Sequence, residues 1–104
     1  MLTMMDEAQT GVGRTGHMFA FENEGAVPDI LTLSKTLGCG LPLTSVSTTA
    51  EVEQGCKEAG FLWPTTHLNG PLTAAVGNKV LEIVELDNIC QHAAKRGAQL
   101  REGL

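Results

Sequence analysis

Two short apolar runs, Leu2 to Met5 and Asp29 to Leu33, each stop abruptly at polar, chemically capable residues. The first runs into Asp6-Glu7-Ala8-Gln9 and the second into Ser34-Lys35. Apolar runs this short, bounded by polar and glycine-rich stretches, suit buried strands better than helices. Each strand then delivers its polar groups at its carboxyl end. Ser45 to Thr48 alternates Ser, Val, Ser and Thr and reads as a third short strand.

Helical signals fill the intervals. Met18 to Glu24 allows one or two helical turns, ended by Gly25 and then Pro28. Thr49 predicts the N-cap of a helix from Ala50 to Ala59, with Glu51 and Glu53 in its first turn favouring the helix dipole. Asn69 predicts a further N-cap with Pro71 just inside the helix, and Leu72, Val76, Val80, Leu81 and Val84 share one face. Asp87-Asn88 breaks that pattern, and a second amphipathic stretch runs to the C-terminus. Strands alternating with helices predict an α/β fold with a mainly parallel sheet and flanking helices.

Composition narrows the class. Hydrophobic residues make up 42% and charged residues 18%, so the chain is not disordered by composition. With 104 residues, 12 glycines and no Tyr, its core would be marginal alone, which suggests a segment of a larger body. The net charge of -5 and the absence of a basic stripe argue against nucleic acid as a partner. No run is long and apolar enough to span a membrane, and Met1 to Asp6 lacks the features of a signal peptide. Cys39, Cys56 and Cys90 are odd in number and far apart, which suits a reducing compartment better than a disulfide framework or zinc site. A cytoplasmic location is the default expectation, with the mitochondrial matrix as the alternative.

Gly11-Val12-Gly13-Arg14-Thr15-Gly16 matches the dinucleotide pattern G-x-G-x-x-G and follows a strand. An NAD(P)-binding α/β module is therefore one reading of Gly11, Gly13 and Gly16. Polar residues separate the strand from the first glycine, the next helical segment is short, and Asp29 begins the second strand instead of ending it. A tight loop using glycine for unusual backbone angles fits better.

Ligands of α/β sheets bind beyond the carboxyl ends of the strands. Two such ends present Asp6 with Gln9, and Lys35. A lysine can form an imine with an aldehyde and later move protons at the substrate carbon. A carboxylate can keep a pyridine nitrogen protonated, and an amide can hydrogen-bond a phenolic oxygen. Together these residues suit pyridoxal 5'-phosphate (PLP) chemistry.

The same residues lie in longer ordered motifs. Asp6-Glu7-Ala8-Gln9-Thr10-Gly11, Gly13-Arg14-Thr15-Gly16 and Pro28 to Lys35 resemble the class III (ω-type) aminotransferases, and Gly38 to Leu43 and Thr65-Thr66-His67 continue the likeness. Within that family, the Leu33 to Gly38 run, Gly40-Leu41-Pro42-Leu43 and the Pro71-Leu72 and Ala74 to Gly77 stretches look most similar to the 2,2-dialkylglycine decarboxylases. The resemblance covers essentially the whole chain. It implies part of the large, PLP-binding domain of fold type I, residues 1–104, ending in a helix that leads toward a C-terminal small domain.

By that resemblance Lys35 would hold PLP as the internal aldimine and shuttle protons. Asp6 would pair with the pyridinium nitrogen, Ala8 would lie against the ring, and Gln9 would contact the phenolic oxygen. Thr66 would bind the phosphate of PLP held by the partner subunit of a homodimer. The reaction implied is transamination between an amino-acid or amine donor and a keto-acid acceptor, coupled in the decarboxylases to loss of carbon dioxide from a 2,2-dialkylglycine. Gly70 departs from those decarboxylases, which carry there an acid that helps hold an alkali-metal ion, and no residue of the chain is assigned to a metal. The main phosphate loop, the ring-stacking aromatic and the arginine for the substrate carboxylate fall outside these residues. The 104 residues alone are therefore expected to be inactive, a non-catalytic piece of the parent enzyme.

Overall fold

The structure, a computed structural model, describes all 104 residues. Its sheet has three strands in the order β1 (Met4–Asp6), β2 (Ile30–Leu33), β3 (Ser45–Thr48). β1 and β2 are parallel, with Met4 opposite Ile30, Met5 opposite Leu31 and Asp6 opposite Thr32. β3 runs antiparallel to β2, with Ile30 opposite Thr48 and Leu33 opposite Ser45. The expected α/β architecture of strands with flanking helices is present, and within these three strands one pairing is parallel and one antiparallel. The cause lies in the connections. Between β1 and β2 the chain returns through the glycine loop and a 3-10 helix at Ala20–Glu24, ended by left-handed Gly25. Between β2 and β3 there is only a 3-10 turn, Lys35–Gly38, and an irregular loop, so the chain reverses direction.

Three α-helices follow. α1 (Ala50–Glu58) starts where Thr49 predicts it: the Thr49 hydroxyl accepts from the Val52 amide at 3.3 Å. α2 (Pro71–Leu86) has Pro71 in its first turn, but its N-cap is Gly70, one residue after the expected Asn69. Asn69 is itself in the left-handed region at φ 56°, which breaks the approach to the helix one position early. Asn88, at φ 53°, separates α2 from α3 (Ile89–Glu102), as the Asp87-Asn88 break implies.

The core is small. Val12, Leu33, Leu37 and Val84 are buried, with Met18, Phe19, Leu31, Leu43, Val80, Leu81 and Cys90 packed against them. These residues join the glycine loop, β2, the Lys35–Gly38 turn and α2 into one cluster. Gly77 permits the closest contact: a Cβ there would stand 2.6 Å from the Leu43 side chain. α2 can therefore lie directly on the turn that begins at Lys35.

Only 9 of the 104 residues are buried, while Leu62, Trp63 and Leu72 are 82%, 69% and 73% exposed. So little buried apolar area cannot offset the conformational entropy of ordering the chain. The 104-residue segment expressed alone should show no cooperative thermal unfolding transition by circular dichroism. A sharp transition would show that these contacts suffice.

Candidate active site

Because β1 and β2 are parallel, their carboxyl ends open on the same side of the sheet. Asp6 ends β1 directly opposite Thr32. Its Oδ1 accepts from the Ala8 amide at 3.1 Å and from the Thr32 hydroxyl at 2.9 Å. These two bonds, the Ala8 amide first, hold the carboxyl below the usual aspartate range, and the charge of Lys35 adds to the effect. Asp6 is exposed and stays an anion at neutral pH.

Glu7 faces the other way, as alternation along a strand requires. It is the buried charged residue of the chain, at 4% exposure. Its carboxylate accepts from the Thr10 hydroxyl and from the amides of Ala20 and Phe21, each at 2.9 Å. Those two amides open the 3-10 helix Ala20–Glu24, so Glu7 ties the start of that helix to the end of β1. Its own amide donates to the Thr32 carbonyl at 2.9 Å, extending the β1–β2 ladder by one bond.

The glycines of the loop serve packing. A Cβ on Gly11 would stand 2.9 Å from the Glu7 carbonyl and 3.0 Å from Leu33. Gly13 (φ +88°) faces Val84, Ile89 and Cys90, and Gly16 (φ +96°) approaches the Ala94 side chain at 3.0 Å. Their open sides are thus filled by α2 and α3, and the helix start beyond them is taken by the Glu7 carboxylate. The amides that open the next helix are thus already taken, which counts against the NAD(P) reading of this motif.

Lys35 leaves β2 through extended Ser34 and is itself left-handed at φ 49°. It is exposed, and with Gln9, Arg14, Thr36, Cys39 and Gly40 it lines an open hollow of about 440 Å³. Arg14 Nε donates to Thr36 Oγ1 at 3.1 Å across this hollow. Lys35 also borders a larger cleft of about 1200 Å³, shared with Thr66, Asn69 and Gly70. Thr66 is exposed there, and its carbonyl accepts from the Thr65 hydroxyl at 2.9 Å.

The structure therefore brings Gln9 and Lys35 into one hollow and Lys35 and Thr66 into another. Asp6 and half-buried Ala8 border neither; Asp6 is linked to the β2 end through Thr32. Three residues of the site were not singled out from sequence: Glu7, Arg14 and Thr32. A signal existed for Glu7 alone, since the residue after a solvent-facing strand residue points inward. Arg14 and Thr32 gain their places only from the pairing of β1 with β2 and the path of the loop.

The family described as "Aminotransferase class-III" matches residues 1–104. An uncharacterized aminotransferase of Schizosaccharomyces pombe is 53% identical over 104 residues, which are all of this chain and 23% of the relative. The acetylornithine aminotransferase of Shewanella oneidensis is 40% identical over 103 residues, covering 99% of this chain and 25% of the relative. Among solved structures, an ornithine aminotransferase from Toxoplasma gondii superimposes with a TM-score of 0.91 at 35% identity, over 99% of this chain and 24% of its own. That structure has partial occupancy of PLP at its active site. The chain belongs to the class III aminotransferases, and it spans about a quarter of the length of the relatives it matches.

Two outcomes test the site's construction in the protein that carries these residues. Glu7→Ala leaves three donors without their acceptor, at roughly 1–3 kcal/mol for each buried one, so the urea midpoint should fall well below that of Glu7→Gln. Asp6 and Asp29 are both held below the usual aspartate range; for Asp29 the cause is the amide and hydroxyl of Thr3, at 2.7 and 2.9 Å. A carboxyl depressed by folding contributes stability above its unfolded pKa and loses it as pH falls through the folded value. Tm measured from neutral pH into the acid range should therefore drop, and Asp29→Asn should flatten that drop.

Proposed function

We propose that the protein carrying these residues is a PLP-dependent aminotransferase, moving an amino group from an amino-acid or amine donor to a keto-acid acceptor. The observation that carries this reading is the pairing of a stabilised anion and an exposed primary amine at the carboxyl ends of adjacent parallel strands. The residues suit the cofactor at each point. A pyridine nitrogen needs a partner that stays ionised, and Asp6 is held so by the Ala8 amide and the Thr32 hydroxyl. Gln9 offers an amide in the same hollow as Lys35, for the phenolic oxygen. Ala8 offers a small half-buried face for the ring, and Thr66 an exposed hydroxyl for the phosphate held by a second subunit.

Bound PLP supplies an electron-withdrawing ring that accepts charge when a bond to the substrate's α-carbon breaks. Lys35 would hold the cofactor through its Nζ, and the same amine would carry the proton taken from that carbon and returned during transfer. Asp6 keeps a proton on the pyridine nitrogen by remaining the stronger acid of the pair. The exposed aromatics Phe61 and Trp63, stacked at 6.1 Å, lie just before Thr66 in the chain and suit an interface between two copies.

Plain transamination is preferred to coupled decarboxylation of a 2,2-dialkylglycine. Gly70 has no side chain to hold an ion, and a Cβ there would already stand 3.2 Å from the Thr73 hydroxyl and 3.3 Å from the His67 carbonyl.

The full-length protein should show the visible absorbance band of a lysine-bound PLP, and Lys35→Ala should abolish it with loss of turnover. A full-length protein that takes up no PLP sinks the proposal. Carbon dioxide release from a dialkylglycine at a rate matching amino transfer would restore the decarboxylase reading.

A further inference from the structure

Lys35 occupies a backbone conformation that side-chain-bearing residues resist, φ 49°. The 3-10 turn it opens ends at Cys39, also left-handed at φ 48°. Backbone bonds from Leu37 N to Ser34 O and from Cys39 N to Thr36 O, each 3.1 Å, close the turn on itself. They do not tie it to the glycine loop. On one side the turn is clamped by packing, since Leu37 and Gly38 are buried against Leu43 and α2. On the other side a single side-chain hydrogen bond reaches it from the glycine loop, from Arg14 Nε to Thr36 Oγ1 at 3.1 Å. Thr36 directly follows Lys35, and Arg14 lines the same hollow as Gln9 and Lys35.

We propose that Arg14 is a positioning residue for Lys35, acting through Thr36 Oγ1 to hold the left-handed turn in register with the Gln9 loop. The inference rests on the reading of Lys35 as the cofactor lysine. Glu7 anchors the glycine loop through Thr10, Ala20 and Phe21, so Arg14 extends from a fixed base. Without the Arg14 bond the turn keeps its internal bonds and its packing under α2 but loses its tie to the glycine loop. The Lys35 amine then moves relative to Asp6 and Gln9, which bind the two sides of the same ring under that reading. Misplacement of a reacting group lowers the rate of the chemical step more than it weakens binding.

Four variants of the full-length protein test this: Arg14→Met, Arg14→Lys, Thr36→Val and Thr36→Ser. Thr36→Val removes the hydroxyl at nearly constant volume, and Thr36→Ser keeps it. In the apo protein, acetic anhydride labelling of Lys35 is measured by peptide mass spectrometry against Lys57, Lys79 and Lys95 as internal references. Arg14→Met and Thr36→Val should each change the relative rate at Lys35 several-fold. The double variant should add little further, and Thr36→Ser should behave as the parent. In the PLP-loaded protein, kcat should fall by roughly 10–100-fold with KM little changed. Arg14→Lys, which keeps a donor, should recover part of the loss. Unchanged Lys35 labelling and kcat in both Arg14→Met and Thr36→Val, with those proteins folded, would overturn the proposal. A parent that binds no PLP defeats the cofactor reading instead, while the apo labelling still decides whether Arg14 governs Lys35.

Discussion

The Glu7 carboxylate is the interaction on which the rest of the site depends. It is buried, it carries no cationic partner, and its charge is balanced by the Thr10 hydroxyl and the amides of Ala20 and Phe21. Bonds from neutral donors to an ionised acceptor are stronger than neutral pairs, and burial raises the cost of breaking them. Through them the end of β1, the glycine loop and the 3-10 helix Ala20–Glu24 form one unit. Asp6, the preceding residue, points to the opposite face. Two adjacent acids thus divide the work: Glu7 holds the loop, and Asp6 stays exposed and ionised at the site.

A second constraint runs through Thr32. Its carbonyl accepts from Glu7 and its hydroxyl donates to Asp6, so one residue of β2 registers both acids against the strand that leads to Lys35. The loop glycines serve the same end from the other direction. Gly11, Gly13 and Gly16 let Leu33, α2 and α3 close onto the loop, and Gly77 lets α2 close onto the Lys35 turn. Small residues here buy close approach of backbone elements.

Much of the local structure was legible from short-range signals. β3 and α1 lie where alternation and the Thr49 cap place them, and left-handed Gly25 stops the Ala20–Glu24 turn. The α2 start was misplaced by one residue, because Asn69 and Gly70 both suit a cap and only the backbone path distinguishes them. The direction of β3 was not legible, since a strand's sequence pattern is the same whichever way it runs. Asp6, Gln9 and Lys35 stood out because strand ends in α/β sheets are where ligands gather. Alternation turns Glu7 inward, but nothing local shows that the Thr10 hydroxyl and the Ala20 and Phe21 amides meet it there.

By itself the sequence marked the polar candidates at the strand ends and which short segments would be strand, turn or helix. Those properties depend on side-chain identity and on neighbours a few residues away. It also placed the chain in its family, because ordered motifs carry that information without coordinates. Only the tertiary structure decided that Thr32 joins Asp6 to the neighbouring strand, that Arg14 reaches Thr36, and that the glycine pattern faces helices. Each of those contacts links residues more than twenty positions apart or closes a loop onto a helix. Their partners are set by strand register and by which surfaces exclude water, and neither is a property of any one segment.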